Sequence, residues 1–149
     1  MTGVPARAAA TRGWLALFGA AGLAVAIPAC EAPPHALRKD CSGMTFGTET
    51  SRDCTLAIAR FDRTVFANLP VDSRRRLALV QGHFSVQQGT VRVSLHGSTG
   101  TAAEFVVGPG RPGSIDTTLR LDRRNGFRLR FEPDGEASGL DAKLHYEAR

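Results

Sequence analysis

The chain has 149 residues, a formal net charge of +5 at pH 7, and 42% hydrophobic residues. This length provides one modest hydrophobic core and excludes an assembly of several large domains. Lysine is nearly absent, so the positive charge is carried almost entirely by arginine.

Residues 1–29 have the pattern of an export signal. Arg7 and Arg12 form a positive start, an apolar run follows at residues 13–27, and no acidic residue occurs before Glu31. A helix needs about 20 apolar residues to span a bilayer. Because this run is shorter, a cleaved signal is favoured over a permanent transmembrane helix.

The apolar run ends in the sequence IPAC, at residues 27–30. This sequence resembles the lipobox of bacterial lipoproteins, which has an aliphatic residue three positions before the modified cysteine and a small residue directly before it. The resemblance implies that Cys30 carries diacylglycerol and acyl chains such as palmitate, and that it begins the mature chain. It further implies a lipid-anchored protein of the bacterial cell envelope, on the periplasmic side or the cell surface. Ordinary cleavage after Ala26 or Ala29, which would release a soluble secreted protein, is the alternative.

The chain has three cysteines, an odd number for an exported protein. If Cys30 carries a lipid, Cys41 and Cys54 remain as a pair, and we expect them to form a disulfide in an oxidising compartment. A loop of this size gives about 3 kcal/mol of stabilisation in the chain-entropy model. The spacing does not match a C-x-x-C redox or metal motif.

After the signal, the sequence predicts a flexible tether and one β domain. Residues 30–40 contain two prolines and several charges without periodicity, which is typical of a linker. Within residues 41–149, apolar residues alternate with polar ones, as in half-buried strands. The pattern predicts an all-β fold, an antiparallel β-sandwich or jelly roll, with no amphipathic helix. About seven strands are expected, at residues 55–61, 76–86, 90–97, 103–108, 114–121, 126–132 and 140–148.

Two hairpins follow from the requirement that apolar residues share one face of a sheet. The first turns at Gln88 and Gly89 and is expected to pair Val86 with Val91, Phe84 with Val93, and Gly82 with Leu95. The second turns at residues 122–126 and is expected to pair Leu121 with Phe127, Leu119 with Leu129, and Thr117 with Phe131.

The second hairpin also predicts an interaction surface for an anionic partner. Its register places five arginines on one outward ribbon and sets Arg120 directly opposite Arg128, a like-charge pair that calls for a compensating anion. An ordinary solvated face is the alternative. The five residues are Arg120, Arg123, Arg124, Arg128 and Arg130.

Two weaker constellations point to a metal. The first hairpin makes His83 and His96 diagonal neighbours on its outer face, within reach of one ion, although a zinc site wants three or four protein ligands. Solvated histidines are the simpler interpretation. The acidic segment with Glu132, Asp134 and Glu136 has the oxygen ligands that calcium prefers, but its spacing does not match an EF-hand, and a polar turn is the alternative.

The usual catalytic motifs are missing from the sequence, which disfavours an enzyme. We therefore expect a non-enzymatic envelope lipoprotein, a binding or structural module at a membrane surface, with no cofactor and no nucleic acid. Its partner would be the membrane through the lipid, with an envelope protein, a polysaccharide or anionic lipid as a further contact. The alternatives are a secreted metal-dependent hydrolase and a calcium-dependent glycan-binding module.

Overall fold

The computed structural model describes residues 33–46 and 49–149, and within them the chain forms nine β-strands. Buried and exposed side chains alternate along these strands, for example along residues 77–85, because successive side chains of a strand point to opposite faces of the sheet. The strands are β1 (Arg38–Phe46), β2 (Glu49–Phe61), β3 (Val65–Pro70), β4 (Leu77–Ser85), β5 (Val91–Gly97), β6 (Gly100–Val107), β7 (Gly113–Arg120), β8 (Gly126–Pro133) and β9 (Ala137–Ala148).

The strands form two antiparallel sheets that enclose one core. The five-stranded sheet has the order β1-β2-β9-β4-β7, and the four-stranded sheet has the order β3-β8-β5-β6. Tyr146 is fully buried between them, its ring 5.1 Å from that of Phe127, and its hydroxyl donates to the carbonyl of Pro70. Burial raises the pKa of Tyr146. The predicted all-β sandwich is confirmed.

All seven predicted strands are present, and the sequence missed two. β1 lacks a clear apolar pattern because its outward side chains and many of its inward ones are exposed. β3 was missed because it is a short edge strand that ends in Pro70. Because β1 begins at Arg38, the last three residues assigned to the tether lie in a strand. The segment between the two cysteines is likewise a β-hairpin rather than an irregular loop.

Both predicted hairpin pairings are wrong. β4 pairs with β7 and β9, while β5 pairs with β6 and β8, so the turn at Gln88 and Gly89 crosses from one sheet to the other. The connection at residues 121–125 crosses between the sheets in the same way, and β7 does not pair with β8. The apolar residues point inward as predicted, but they meet across the core instead of side by side. The alternation of apolar and polar residues determines which side chains of a strand point to the core, but it does not determine which strand lies beside it.

The predicted disulfide is confirmed. Cys41 and Cys54 are direct partners in the β1–β2 register and are joined by a bond of 2.04 Å. The Cys54 side chain belongs to the core, so the bridge links edge strand β1 to the buried interior.

The export signal, the IPAC sequence and Cys30 lie outside the described residues. Within the part of the chain that the structure describes, no helix has the length and hydropathy needed to cross a membrane.

Candidate binding surfaces

Consecutive strands run in opposite directions, so alternate connections lie at the same end of the sandwich. One end contains the β3–β4 and β7–β8 connections, the far end of the β1–β2 hairpin, and the end of β9. Leu77 pairs with Arg120 there, and the amide of Leu121 donates to the carbonyl of Arg76. We call this end the basic end because it carries seven exposed arginines, namely Arg74, Arg75, Arg76, Arg120, Arg123, Arg124 and Arg149.

Most of these arginines lack an acidic partner. Arg149 contacts Glu147 at 2.7 Å, whereas Asp72 pairs with Arg52, and Asp122 accepts backbone hydrogen bonds at 2.8 and 3.0 Å. These three acids of this end thus already have partners. Among the described residues, no ion pair involves the remaining six arginines of the basic end.

Two exposed apolar side chains adjoin the arginines. Met44 and Phe46, near the far end of the β1–β2 hairpin, are 79% and 87% exposed. With Arg75 and Arg149 they line a groove of about 380 Å³. The basic end therefore combines cationic groups with apolar ones.

The opposite end of the sandwich receives the incoming chain. The amide of Arg60 donates to the carbonyl of Pro34 at 2.9 Å, and Leu37 packs against the core. Two ion pairs lie here: Arg60 contacts Glu136 at 2.6 Å, and Arg63 lies 3.6 Å from the carboxylate of Asp62. This end has no cluster of one charge among its described residues.

The five arginines predicted to share one ribbon are divided. Arg120, Arg123 and Arg124 lie at the basic end, while Arg128 and Arg130 lie on the outer face of β8 in the four-stranded sheet. Arg120 pairs with Leu77, so the expected like-charge pair with Arg128 does not form. The prediction missed the other members of the basic end because it relied on a hairpin register.

A simpler signal was available in the sequence. Three consecutive arginines, at residues 74–76, lie just before a predicted strand, and Arg123 and Arg124 lie between two others. If consecutive strands alternate in direction, both connections fall at one end of the domain. The order of the strands along the chain was therefore sufficient to predict this part of the surface.

The two histidines predicted as metal ligands are on different sheets. His83 projects from β4 and His96 from β5, so the predicted diagonal contact is wrong. The error follows directly from the hairpin register, which placed β4 and β5 side by side.

The acidic residues predicted to bind calcium do not converge on one site either. Glu132 contacts Arg130 at 3.1 Å, Glu136 pairs with Arg60, and Asp134 is exposed in the β8–β9 connection. No group of three or more His, Cys, Asp or Glu residues in the described ranges is placed to hold a metal ion.

A concavity of about 750 Å³ lies on the outer face of the five-stranded sheet. One row of paired positions crosses it in the order Ser42, Asp53, His145, Gln81, Asp116. The His145 ring contacts the Asp53 carboxylate at 2.8 Å. A Ser-His-Asp relay needs histidine between the other two residues. Here Asp53 is in the middle, so Ser42 is not activated by His145 through this row.

No protein-family model and no curated protein match this sequence. Among solved structures, the chain is similar to the cupin domain of Schizosaccharomyces pombe Cnp3, with 13% identity and a TM-score of 0.31 over 75% of this chain. It spans 60% of that cupin chain, less than two thirds of its length.

Two carbohydrate-binding modules are also similar. The first is CBM6cm-2 from Cellvibrio mixtus lichenase 5A, solved with cellotriose, with 9% identity, a TM-score of 0.34, and coverage of 74% of this chain and 86% of that one. The second is the C-terminal CBM6 of LamC from Zobellia galactanivorans, with 7% identity, a TM-score of 0.28, and coverage of 76% and 100%. These likenesses concern the all-β fold.

Proposed function

We propose that the protein is a non-enzymatic binding module of the bacterial cell envelope, anchored by a lipid on Cys30, which holds an anionic polysaccharide at its basic end. The observation that carries the proposal is a set of six exposed arginines at one end of the sandwich, none of which forms an ion pair with a described residue. Guanidinium groups bind phosphate and carboxylate through paired hydrogen bonds that lysine reproduces poorly.

The position of the incoming chain supports a polymer over the anchoring bilayer. Only two residues separate Cys30 from Pro33, and such a segment spans at most about 10 Å. The anchor would therefore hold the opposite end of the sandwich near the membrane. β2 has 13 residues, which corresponds to roughly 40 Å along the sandwich.

With the sandwich upright on its anchor, the basic end would be several Debye lengths from the anchoring bilayer, since the Debye length is about 8 Å at physiological ionic strength. The attraction of the arginines to that bilayer is then largely screened. An envelope polymer that carries phosphate or carboxylate groups can reach them, and its flexibility suits charges that are spread over several connections.

The anchor is tested by Cys30→Ser in the native host. We expect the wild-type protein in the membrane fraction with an acylated N-terminus by mass spectrometry, and the variant in the soluble fraction. An unmodified Cys30 thiol, or a mature chain that begins at another residue, would contradict the anchor.

The binding surface is tested with the mature protein in phosphatidylcholine vesicles. Polygalacturonate and poly(glycerol phosphate) serve as carboxylate and phosphate probes, measured by co-sedimentation at low and high salt. Replacing Arg74, Arg75 and Arg76 together by Gln should weaken binding roughly tenfold, because each exposed charge contact contributes about 0.5 kcal/mol.

The matched control replaces Arg60, Arg63 and Arg111, which lie at or near the opposite end, by Gln. This variant changes the net charge equally and should keep its affinity. Equal losses in the two variants, or binding that does not respond to salt, would show that the basic end is not the binding surface.

A further inference from the structure

The outer face of the four-stranded sheet carries a second group of cationic side chains. Paired positions place Arg128 beside His96, and Arg130 beside Ser94 on the next outward row. Ser94 is only 2% exposed although it points away from the core, so long side chains of this face cover it. The cluster is therefore partly enclosed.

Two nitrogen atoms in this cluster lack a hydrogen-bond partner among the described residues. Nε2 of His96 and Nε of Arg130 are buried and have no hydrogen-bond partner among the described residues. Other polar atoms of these side chains have partners: Nδ1 of His96 lies 3.2 Å from the hydroxyl of Thr101, and one terminal nitrogen of Arg130 contacts Glu132 at 3.1 Å. If the Thr101 hydroxyl donates to Nδ1, Nε2 carries the proton.

An unpaired buried donor is uncommon, and each instance calls for an explanation such as a bound ion or water. The two donors here lie on adjacent strands, at diagonal positions of the same outer face. One group with several acceptor oxygens can satisfy both at once.

The electrostatics of the cluster favour an anion. Burial lowers the pKa of His96, and the charges of Arg128 and Arg130 lower it further, whereas Glu104 raises it. Asn68 and Phe66, which face the cluster from β3, are uncharged. Arg130 is paired with Glu132, and Glu104 lies on the neighbouring strand, whereas Arg128 has no ion pair among the described residues. An oxyanion at this histidine would therefore be attracted chiefly by Arg128.

We propose that His96, Arg128 and Arg130 form a binding site for one tetrahedral oxyanion of the phosphate class. The site is separate from the six arginines on which the proposed polymer binding rests. Arg128 is exposed, and its guanidinium carbon lies 5.0 Å from the centre of the Phe66 ring. Rotation of this side chain would open the cluster and place a third donor on the anion.

The test is an NMR titration of the mature protein in detergent with inorganic phosphate, with sulfate, and with chloride at matched ionic strength. Phosphate should shift the His96 ring and Arg130 Nε signals in a saturable way and raise the pKa of His96, because a bound anion stabilises the imidazolium form. Arg130→Lys should weaken this binding about tenfold, since a charge-assisted bond from a fixed fork is lost.

Arg128→Gln is a second variant at an exposed position and should weaken phosphate binding while the fold is retained. His83→Gln, on the other sheet, is the matched control and should have no effect. Identical shifts with chloride, or phosphate shifts that leave Arg130 Nε unchanged, would overturn the site.

The same titration separates this site from the basic end. The variant with Gln at residues 74–76 should bind phosphate normally even if it no longer binds a polymer. If the oxyanion is a phosphate ester of the polymer rather than a free ion, Arg130→Lys should also weaken poly(glycerol phosphate) binding but not polygalacturonate binding.

Discussion

The two ends of the sandwich differ in how their charges are arranged. At the opposite end, Arg60 and Arg63 each face a carboxylate, and the incoming chain is fixed to the body through Pro34. At the basic end, six exposed arginines form no ion pair within the part of the chain that the structure describes, and Met44 and Phe46 are exposed beside them.

This difference shows that a protein with a modest net charge of +5 can have a strongly uneven charge distribution between its two ends. Like charges on one surface repel each other and destabilise the folded state. Such a cluster also attracts partners of opposite charge. Topology produces the asymmetry, because alternating strand directions collect every second connection at one end. The end that receives the incoming chain thus contains two ion pairs and a backbone hydrogen bond to that chain, whereas the other end is cationic.

The largest expected effect concerns the strand that joins the two ends. Cys54→Ala should lower the free energy of unfolding by about 3 kcal/mol, because the bridge closes a loop with a sequence separation of 13 in the β1–β2 hairpin. Denaturant unfolding measures the loss, and hydrogen exchange should increase along β1. The double variant with Cys41→Ala controls for the free thiol and should match the single one. A loss well below 1 kcal/mol would show that β1 is held by its pairing alone.

A pair of glycines sharpens the contrast in packing. Gly89 and Gly135 both have a φ of +82° and belong to the opposite end. A Cβ on Gly89 would lie 2.5 Å from the carbonyl oxygen of Glu136, whereas one on Gly135 would meet no atom within 4 Å. Gly135→Ala should cost about 1 to 2 kcal/mol through its backbone conformation alone. Gly89→Ala should cost clearly more in thermal unfolding, and equal losses would contradict close packing at this end.

The pH dependence of stability tests the cationic cluster near the basic end. Because the folded pKa of His96 lies below its usual value of 6.5, the unfolded chain binds more protons at that site in the window between the two values. Its contribution to stability is present above about pH 6.5 and is lost as the pH falls through the lowered pKa. His96→Gln should flatten this part of the stability profile, and Arg128→Gln should raise the pKa of His96 in an NMR titration. An unchanged profile in His96→Gln would contradict the assignment.

The smallest expected effect compares single arginines at the two ends. Arg60→Gln breaks an ion pair with Glu136 and should destabilise the fold slightly, whereas Arg74→Gln removes a charge from a cluster of its own sign. Arg74→Gln should leave stability unchanged or raise it slightly at low salt. Added salt should remove the difference between the variants, since exposed charges are screened. A larger loss for Arg74→Gln than for Arg60→Gln would reverse the comparison.

The fold class could be predicted because alternation of apolar and polar residues is a local property. It identified the inward side chains of β4, β5, β7 and β8 and, through the count of cysteines, the bridge between Cys41 and Cys54. Pairing is not local. Since β4 and β5 both turn an apolar face to the same core from different sheets, alternation alone does not distinguish them from the two strands of a hairpin.

This error passed from the fold into the predicted site. The contact of His83 with His96 and that of Arg120 with Arg128 both depended on the hairpin registers, and neither forms. Order along the chain would have been a more robust guide than the register, since Arg123 and Arg124 lie at one end with residues 74–76. A charged cluster in connections is therefore easier to predict than one on strands.

The position of β9 constrains the order in which the protein can fold. It is the last of the nine strands in the chain, yet it lies at the centre of the five-stranded sheet, paired with β2 on one side and β4 on the other. Until residues 137–148 have left the ribosome, β2 and β4 have no common neighbour, and the sheet is split into two edges. Most contacts of the finished sheet are between residues distant in sequence, which slows folding. The five-stranded sheet consequently stays incomplete until β9 has been synthesised.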